Sequence, residues 1–343
     1  MLTSFLRTSL FAAALGAIAL TAGCGADAAD DAGAGSAKPV ARSYAQRPVI
    51  IYSNADEEAQ AAIKKALDAN GFSGKYLMQS FGTSELGGKL TAEGKHIEAD
   101  VVTLSSFYLE SLQQRQKLFA PLAPSRKTLE AASGFFAPIL GLSSAIFVNT
   151  WVLEEDHLPR PKSIADLADP VYKNDVAVPD IMGSSTAWLM TLALVSAYGE
   201  TQGTELARRI EANAGPHCEK SGSGPLKMVR AGEAAVGFGL RHQAVYDKAR
   251  DLPIDFIDPV EGNFTLLECA AVVDKGEATH PDAKKVIDVI VEHARPELLK
   301  YYPVPLYEGE KVEDAYRLGN PKSFGKPLTA ELLQAHQKLV KGR

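Results

Sequence analysis

Three short apolar runs near the start of the chain each end in small polar residues and then give way to a helical pattern. Pro48-Val49-Ile50-Ile51-Tyr52 leads into Ser53-Asn54, and Lys75 to Gln79 leads into Ser80-Phe81-Gly82-Thr83-Ser84. Ala99-Asp100-Val101-Val102-Thr103-Leu104 leads into Ser105-Ser106. Ala59, Ile63 and Leu67 share one face of the first helix, which ends at Gly71, and Asn54 with Glu57 fits a capping box. A β-α-β-α-β order predicts an α/β fold with a parallel, doubly wound sheet. Ligands of such sheets sit beyond the carboxyl ends of the strands. That edge would hold Ser53, Asn54, Thr83, Ser84, Ser105 and Ser106.

A second set follows. Leu142 to Asn149 reads as a strand, and so does the short run Val176-Ala177-Val178. Pro179 and Gly183 break the second of these, and Ser184, Ser185 and Thr186 open a helix from Ala187 to Tyr198. Free N–H groups and hydroxyls at a helix start can hold an oxyanion, and the same residues can serve as an ordinary N-cap. A further helix covers 203–214. Ser221-Gly222-Ser223-Gly224-Pro225 is a fourth hydroxyl-rich turn before a helix. Ala235 to Gly239 is then a short strand followed by Arg241-His242, and Phe264 to Val273 is strand-like. The segments 282–300 and 330–340 read as helical.

The 343 residues, 46% of them apolar, suffice for two sizeable cores, and a net charge of -6 argues against a nucleic-acid-binding surface. Arg7 precedes an apolar run, Ser9 to Ala22, that is too short to span a membrane and reads as a secretory signal. Leu20-Thr21-Ala22-Gly23-Cys24 resembles a bacterial lipobox, in which Cys24 is lipidated and becomes the new N-terminus; an ordinary cleavage site is the other reading. Residues 25–46 are rich in Ala, Gly, Asp and Ser, a composition expected of a flexible tether. Cys218 and Cys269 then remain in an oxidising compartment, as one disulfide or as two free thiols. No Cys-x-x-Cys or His-x-x-x-His spacing occurs, so neither a zinc site nor a resident cofactor is expected.

The assembled order resembles a periplasmic solute-binding protein of an ABC importer, in the group that includes ferric-ion, 2-aminoethylphosphonate, thiamine and polyamine binding proteins. The resemblance runs from about Pro48 to Leu332. It rests on Val49-Ile50-Ile51-Tyr52-Ser53, Phe81-Gly82-Thr83-Ser84-Glu85-Leu86, Ala99-Asp100-Val101-Val102, Ile146-Phe147-Val148-Asn149, Gly183-Ser184-Ser185-Thr186-Ala187 and Gly232-Glu233-Ala234-Ala235-Val236-Gly237-Phe238. It implies a two-lobed, type II fold with ligand in the cleft, permease subunits as partners and a hinge at crossing strands near Ile146 and Leu267. Residues 47–146 plus 268–343 would form lobe one, and 147–267 lobe two.

In ferric relatives a His after the first strand and a later Tyr-Tyr pair bind the metal. Here those places read Ser53-Asn54-Ala55 and Leu240-Arg241-His242, which removes the hard ligands. Arg241 instead suits an oxyanion, which its fork can grip in bidentate fashion, or else a surface ion pair. Ser184, Ser185 and Thr186 would complete the anion shell. Asp180, Glu85 or Glu261 would receive an ammonium, with Glu85 also readable as a first-turn helix acid. Trp188 and Phe107 could wall the pocket or lie in the core. This set best fits a small phosphonate such as 2-aminoethylphosphonate; ferric ion, polyamine and thiamine compounds are alternatives. An exported serine hydrolase is the rival class, because Gly183-Ser184-Ser185-Thr186-Ala187 approaches a nucleophile elbow and His217, His242, His280 and His293 follow it. A sensor lipoprotein without an importer is a third.

Overall fold

The computed structural model describes residues 47–123, 125–130 and 133–342. The leader, Cys24 and the tether lie outside the described residues. β1 (Val49–Ser53), α1 (Glu57–Leu67), β2 (Tyr76–Ser80), α2 (Thr83–Glu93), β3 (Val101–Ser105) and α3 (Ser106–Gln116) follow one another as expected. β1 pairs in parallel with β2 on one side and with β3 on the other. The continuous apolar sequence of β1 arises because helices cover both faces of the sheet. Ile50 and Tyr52 pack with Leu86, Leu90 and Phe107, whereas Val49 and Ile51 pack with Ala59 and Ile63 on the opposite side. Asn54 does not cap α1. Asp56 takes that place without a side-chain hydrogen bond, and the Asn54 amide donates to Thr83 and Glu268 instead.

β4 (Phe136–Asn149) is longer than its sequence suggested and is buried throughout. Pro138 and Gly141 concealed its first half, and its register shifts between Pro138 and Leu140, as at a bulge. After α4 (Thr150–Glu155) come β5 (Val176–Pro179), α5 (Ser185–Tyr198), α6 (Glu200–Ala214), β6 (Cys218–Glu219), α7 (Gly224–Ala231) and β7 (Val236–Leu240). β5 lies between β6 and β7, parallel to both, so the second set repeats the arrangement of β2, β1 and β3. α8 (Arg241–Lys248) and β8 (Ile254–Ile257) had no clear sequence signal, since Asp255 interrupts a run of only four residues. β9 (Thr265–Val272), α9 (Ala283–Val289), α10 (Arg295–Tyr301) and α11 (Ala330–Val340) complete the chain. Among the described residues no helix is long and apolar enough to cross a membrane.

The two sets meet through β4 and β9. Residues 136–143 of β4 pair with β9, and residues 144–149 pair with β7 on one edge and β8 on the other. The switch is pinned from both sides. The hydroxyls of Ser143 and Thr265 lie 2.6 Å apart, and the Asn263 amide donates to the Ser144 carbonyl at 2.9 Å. α11 lies against α6 and α3, and its Gln337 donates to the Ile181 carbonyl (2.9 Å) and the Ser84 hydroxyl (3.2 Å). Trp188 and Phe107 are buried in the core: their rings meet edge-on at 4.7 Å, and the Trp188 indole donates to His336.

Arg241, expected to grip an oxyanion, belongs to this junction. Its Nε and Nη2 donate to the two carboxylate oxygens of Asp258 at 2.6 and 2.9 Å, and its Nη1 donates to the Tyr316 carbonyl at 3.2 Å. The side chain is 5% exposed, and its guanidinium stacks on Phe256. A fork already engaged by an internal carboxylate has no face left for a solute. Asp258 also accepts from Asn263, which ties the pair to the strand switch. Arg241→Ala leaves a largely buried carboxylate without its cation. It should lower the unfolding free energy by about 3–5 kcal/mol, read from urea denaturation; a change below 1 kcal/mol would contradict this account.

Candidate solute-binding site

The carboxyl ends of β1, β2, β5 and β6 converge on one cavity of about 380 Å³. The N-termini of α1, α2, α5 and α7 reach it as well, through residues 54–58, Gly82, Thr83 and Glu85, residues 183–186 and residues 220–223. Leu140 and Leu142 of β4 give it an apolar patch, and Glu268 of β9 joins the lining. Unpaired N–H groups and the positive end of the dipole make each helix start favourable to anions.

The two sides of the cavity differ in charge. Lys220, Lys227 and the hydroxyls of Ser184, Ser185, Thr186, Ser221 and Ser223 come from the second set of elements, without an acid among them. Asp56, Glu57, Glu58, Glu85 and Glu268 lie on the other side, without a base. Tight backbone approaches shape the basic side: a side chain at Gly222 would collide with Thr186, and one at Gly183 would crowd the Lys220 carbonyl. The Ser223 hydroxyl reaches across and donates to Asp56 Oδ1 at 3.1 Å. Burial pushes the Asp56 carboxyl above its ordinary range, and hydrogen bonds from Ser223 and Tyr302 pull it part of the way back.

Of the hydroxyl and amide residues singled out in the sequence, Asn54, Thr83, Ser184, Ser185 and Thr186 line this cavity. Ser184 is also the N-cap of α5, accepting from the Thr186 N–H at 3.2 Å. Ser53 and Ser105 stand one layer behind. Ser53 accepts from Thr103 (2.7 Å) and from the Ala55 N–H, and Ser105 donates to Glu268 at 2.7 Å. Ser84 faces Gln337, and Ser106 lines a different hollow. Among the acids proposed for an ammonium, only Glu85 reaches the cavity, and it accepts from the Gly82 N–H at 3.2 Å. Asp180 pairs with Lys341 at 2.8 Å. Glu261 accepts from the N–H groups of Ile164 and Ala165 and from the Tyr198 hydroxyl. Both are held by internal donors away from the cleft.

Cys218 and Cys269 are free thiols, and burial pushes both up, Cys218 to about 12. The disulfide reading fails because β6 and β9 are separated by β4, β7 and β5 in the sheet. At ~4.8 Å per strand that separation far exceeds the ~7 Å reach of a bridge. None of the cavity's lining residues is a histidine, so none of the histidines that follow Ser185 in the sequence stands beside it in the cavity. No tyrosine is among its lining residues; the Tyr302 hydroxyl instead donates to the lining residue Asp56 at 3.4 Å.

The sequence reading missed Asp56, Lys220, Lys227 and Glu268. Glu268 had a signal: a single acid inside the apolar run Leu266-Leu267-Glu268-Cys269-Ala270. Burial raises its carboxyl to about 7, hydrogen bonds from Ser105 and Asn54 work against that rise, and the nearby Asp56 charge adds to it. A raised acid stabilises the fold while protonated, and that contribution is lost as pH climbs from about 4.5 through about 7. Between pH 5 and 8 the solute-free protein should therefore lose about 2–3 kcal/mol relative to Glu268→Gln, measured by urea unfolding at each pH. Parallel pH profiles for the two proteins would refute the assignment.

Residues 99–325 match the family described as bacterial extracellular solute-binding protein. A Haemophilus influenzae relative, described only as an uncharacterized protein, is 27% identical over 166 residues; the match covers 48% of this chain and spans about half, 46%, of that relative. A solved periplasmic thiamin binding protein superposes with a TM-score of 0.69 at 18% identity, covering 86% of this chain and 95% of that one. The periplasmic binding protein AfuA from Actinobacillus pleuropneumoniae, solved with fructose-6-phosphate bound, gives 0.64 at 18% identity over 86% and 94%. These likenesses extend the two-lobed, type II binding-protein fold across the described chain. With its cleft between two sets of strand ends and two thirds of its length within the family match, the chain belongs to the bacterial extracellular solute-binding proteins.

Proposed function

We propose that this protein captures a small zwitterionic oxyanion, a phosphonate of the 2-aminoethylphosphonate kind, and delivers it to the permease subunits of an ABC importer. The observation that carries this reading is the division of charge within one cavity. Two lysines, five hydroxyls and the starts of α5 and α7 stand on one side, and carboxylates stand on the other. An oxyanion is favoured where helix starts, hydroxyls and lysines coincide. A cation is favoured where Asp56, Glu57, Glu58 and Glu85 face it. A volume of about 380 Å³ suits a small solute.

In this reading residues 47–146 plus 268–343 and residues 147–267 are two lobes that close over the solute, with the strand switch at Ser143–Ser144 as hinge. The leader exports the chain to the periplasm or cell surface, and lipidated Cys24 anchors it through the tether 25–46. The excess of five carboxylates over two lysines favours one second reading, a polyamine as the solute.

Thermal-shift titration of the purified protein separates the two. A solute at about 100 times its dissociation constant adds about 2.7 kcal/mol of stability. 2-Aminoethylphosphonate should raise the melting temperature, and spermidine, thiamine, sulfate and ferric citrate should not. Ser185→Ala and Lys227→Ala should each weaken phosphonate binding about tenfold or more, a loss of about 1.4 kcal/mol or more. A shift with spermidine alone would replace the phosphonate reading, and unchanged affinity in both variants would overturn the anion assignment.

A further inference from the structure

We propose that Asn54 and Glu268 form the acceptor pair that recognises a protonated primary amine on the solute. This rests on the reading above and names the side chains that select its cationic end. Asn54 Oδ1 and Glu268 Oε2 are buried and accept no hydrogen bond from the protein, although both residues line the cavity. Buried acceptors without a donor are rare and costly, so a pair of them at one wall points to a ligand that supplies donors.

The surrounding network fixes which atoms remain available. Glu268 Oε1 already accepts from the Ser105 hydroxyl at 2.7 Å and from Asn54 Nδ2 at 3.0 Å. Asn54 Nδ2 also donates to Thr83 Oγ1 at 3.0 Å, so both amide hydrogens are engaged. Turning the amide over would set its oxygen against Glu268 Oε1, two acceptors together, so Oδ1 stays the free atom. A hydroxyl has one proton to donate and can satisfy only one of the two acceptors. A primary ammonium has three and can satisfy both, with its charge set among carboxylates.

Ionisation of Glu268 is coupled to this recognition. Asp56, Tyr302 and Cys269 are the titratable groups whose charges couple to it, and Lys220 and Lys227 line the far side of the cavity. Burial holds the carboxyl at about 7, so below neutrality the unliganded site keeps its proton. Arrival of an ammonium favours the carboxylate and sends that proton to solvent. Binding through this pair should tighten about tenfold from pH 6 to pH 8 and then level off.

Isothermal titration and thermal shift on the full chain test this with 2-aminoethylphosphonate, ethylphosphonate and n-propylammonium. The expected result is a preference of at least tenfold for 2-aminoethylphosphonate over ethylphosphonate. Glu268→Gln and Asn54→Ala should abolish that preference while keeping the ethylphosphonate affinity, which also reports an intact cavity. The ratio of wild-type to Glu268→Gln affinity for 2-aminoethylphosphonate, in which the ligand's own titration cancels, should rise about tenfold from pH 6 to pH 8. Equal binding of the two phosphonates, or a preference that survives in both variants, would overturn the amine site and leave the oxyanion reading standing. A response to n-propylammonium that is lost in Glu268→Gln, without a response to either phosphonate, would keep the amine site and overturn the oxyanion reading. Silence with all three probes would overturn both.

Discussion

Strand β4 is the constraint on which the rest depends. Its first half completes one sheet beside β9, its second half is flanked by β7 and β8, and it is buried over all 14 residues. One strand shared by two pairing systems sets the distance between the two groups of strand ends, and with it the size of the cavity. Ser143, Ser144, Asn263 and Thr265 hold the switch point with polar contacts, and the Arg241–Asp258 pair braces the same place. Around these polar contacts the strands themselves are packed into the cores, with Leu142, Ala145, Ile146 and Leu266 buried at the switch.

Helix polarity supplies the cavity's chemistry, and the first-turn residues decide its sign. All four helices point the positive end of their dipole at the cavity. On α1 and α2 the acids Asp56, Glu57, Glu58 and Glu85 answer that positive end, so their side of the cleft is negative. On α5 and α7 the first turns carry Ser, Thr, Gly and Pro without an acid, and Lys220 and Lys227 add to the dipole. The same local architecture thus yields opposite electrostatics through a handful of residues. When the halves meet, Ser223 and Asp56 already join across the cleft, so the polar surfaces are partly matched before a solute arrives.

The C-terminal helix links the two groups away from the cleft. Gln337 bonds both Ser84 near the start of α2 and the Ile181 carbonyl after β5, while Lys341 pairs with Asp180 and Glu211. Asp180 and Ser84 looked like binding residues because they stand in hydroxyl-rich or acidic turns. They are held instead by a helix about 150 residues further along the chain or more. Turn composition alone cannot tell a residue that faces a solute from one that faces a distant helix.

The sequence by itself determined the order of most elements (β6, α8 and β8 are among the exceptions), the parallel sets built on β1 and β5, and the placement of hydroxyl-rich turns near their strand ends. These are local properties: Val49 to Tyr52 is a continuous apolar run, Ser53 closes β1, and Thr83, Ser184 and Ser221 come two to five residues after the ends of β2, β5 and β6. Only the tertiary structure decided which turn residues share a cavity, that Arg241 belongs to Asp258, that Cys218 and Cys269 are strands apart, and that Lys227 and Asp56 face the cleft. The reason is physical. Strand and helix formation follow from neighbours within a few residues, whereas the environment of a charge is set by partners such as Asn54 and Glu268, 214 positions apart, which only the folded sheet brings within hydrogen-bonding distance.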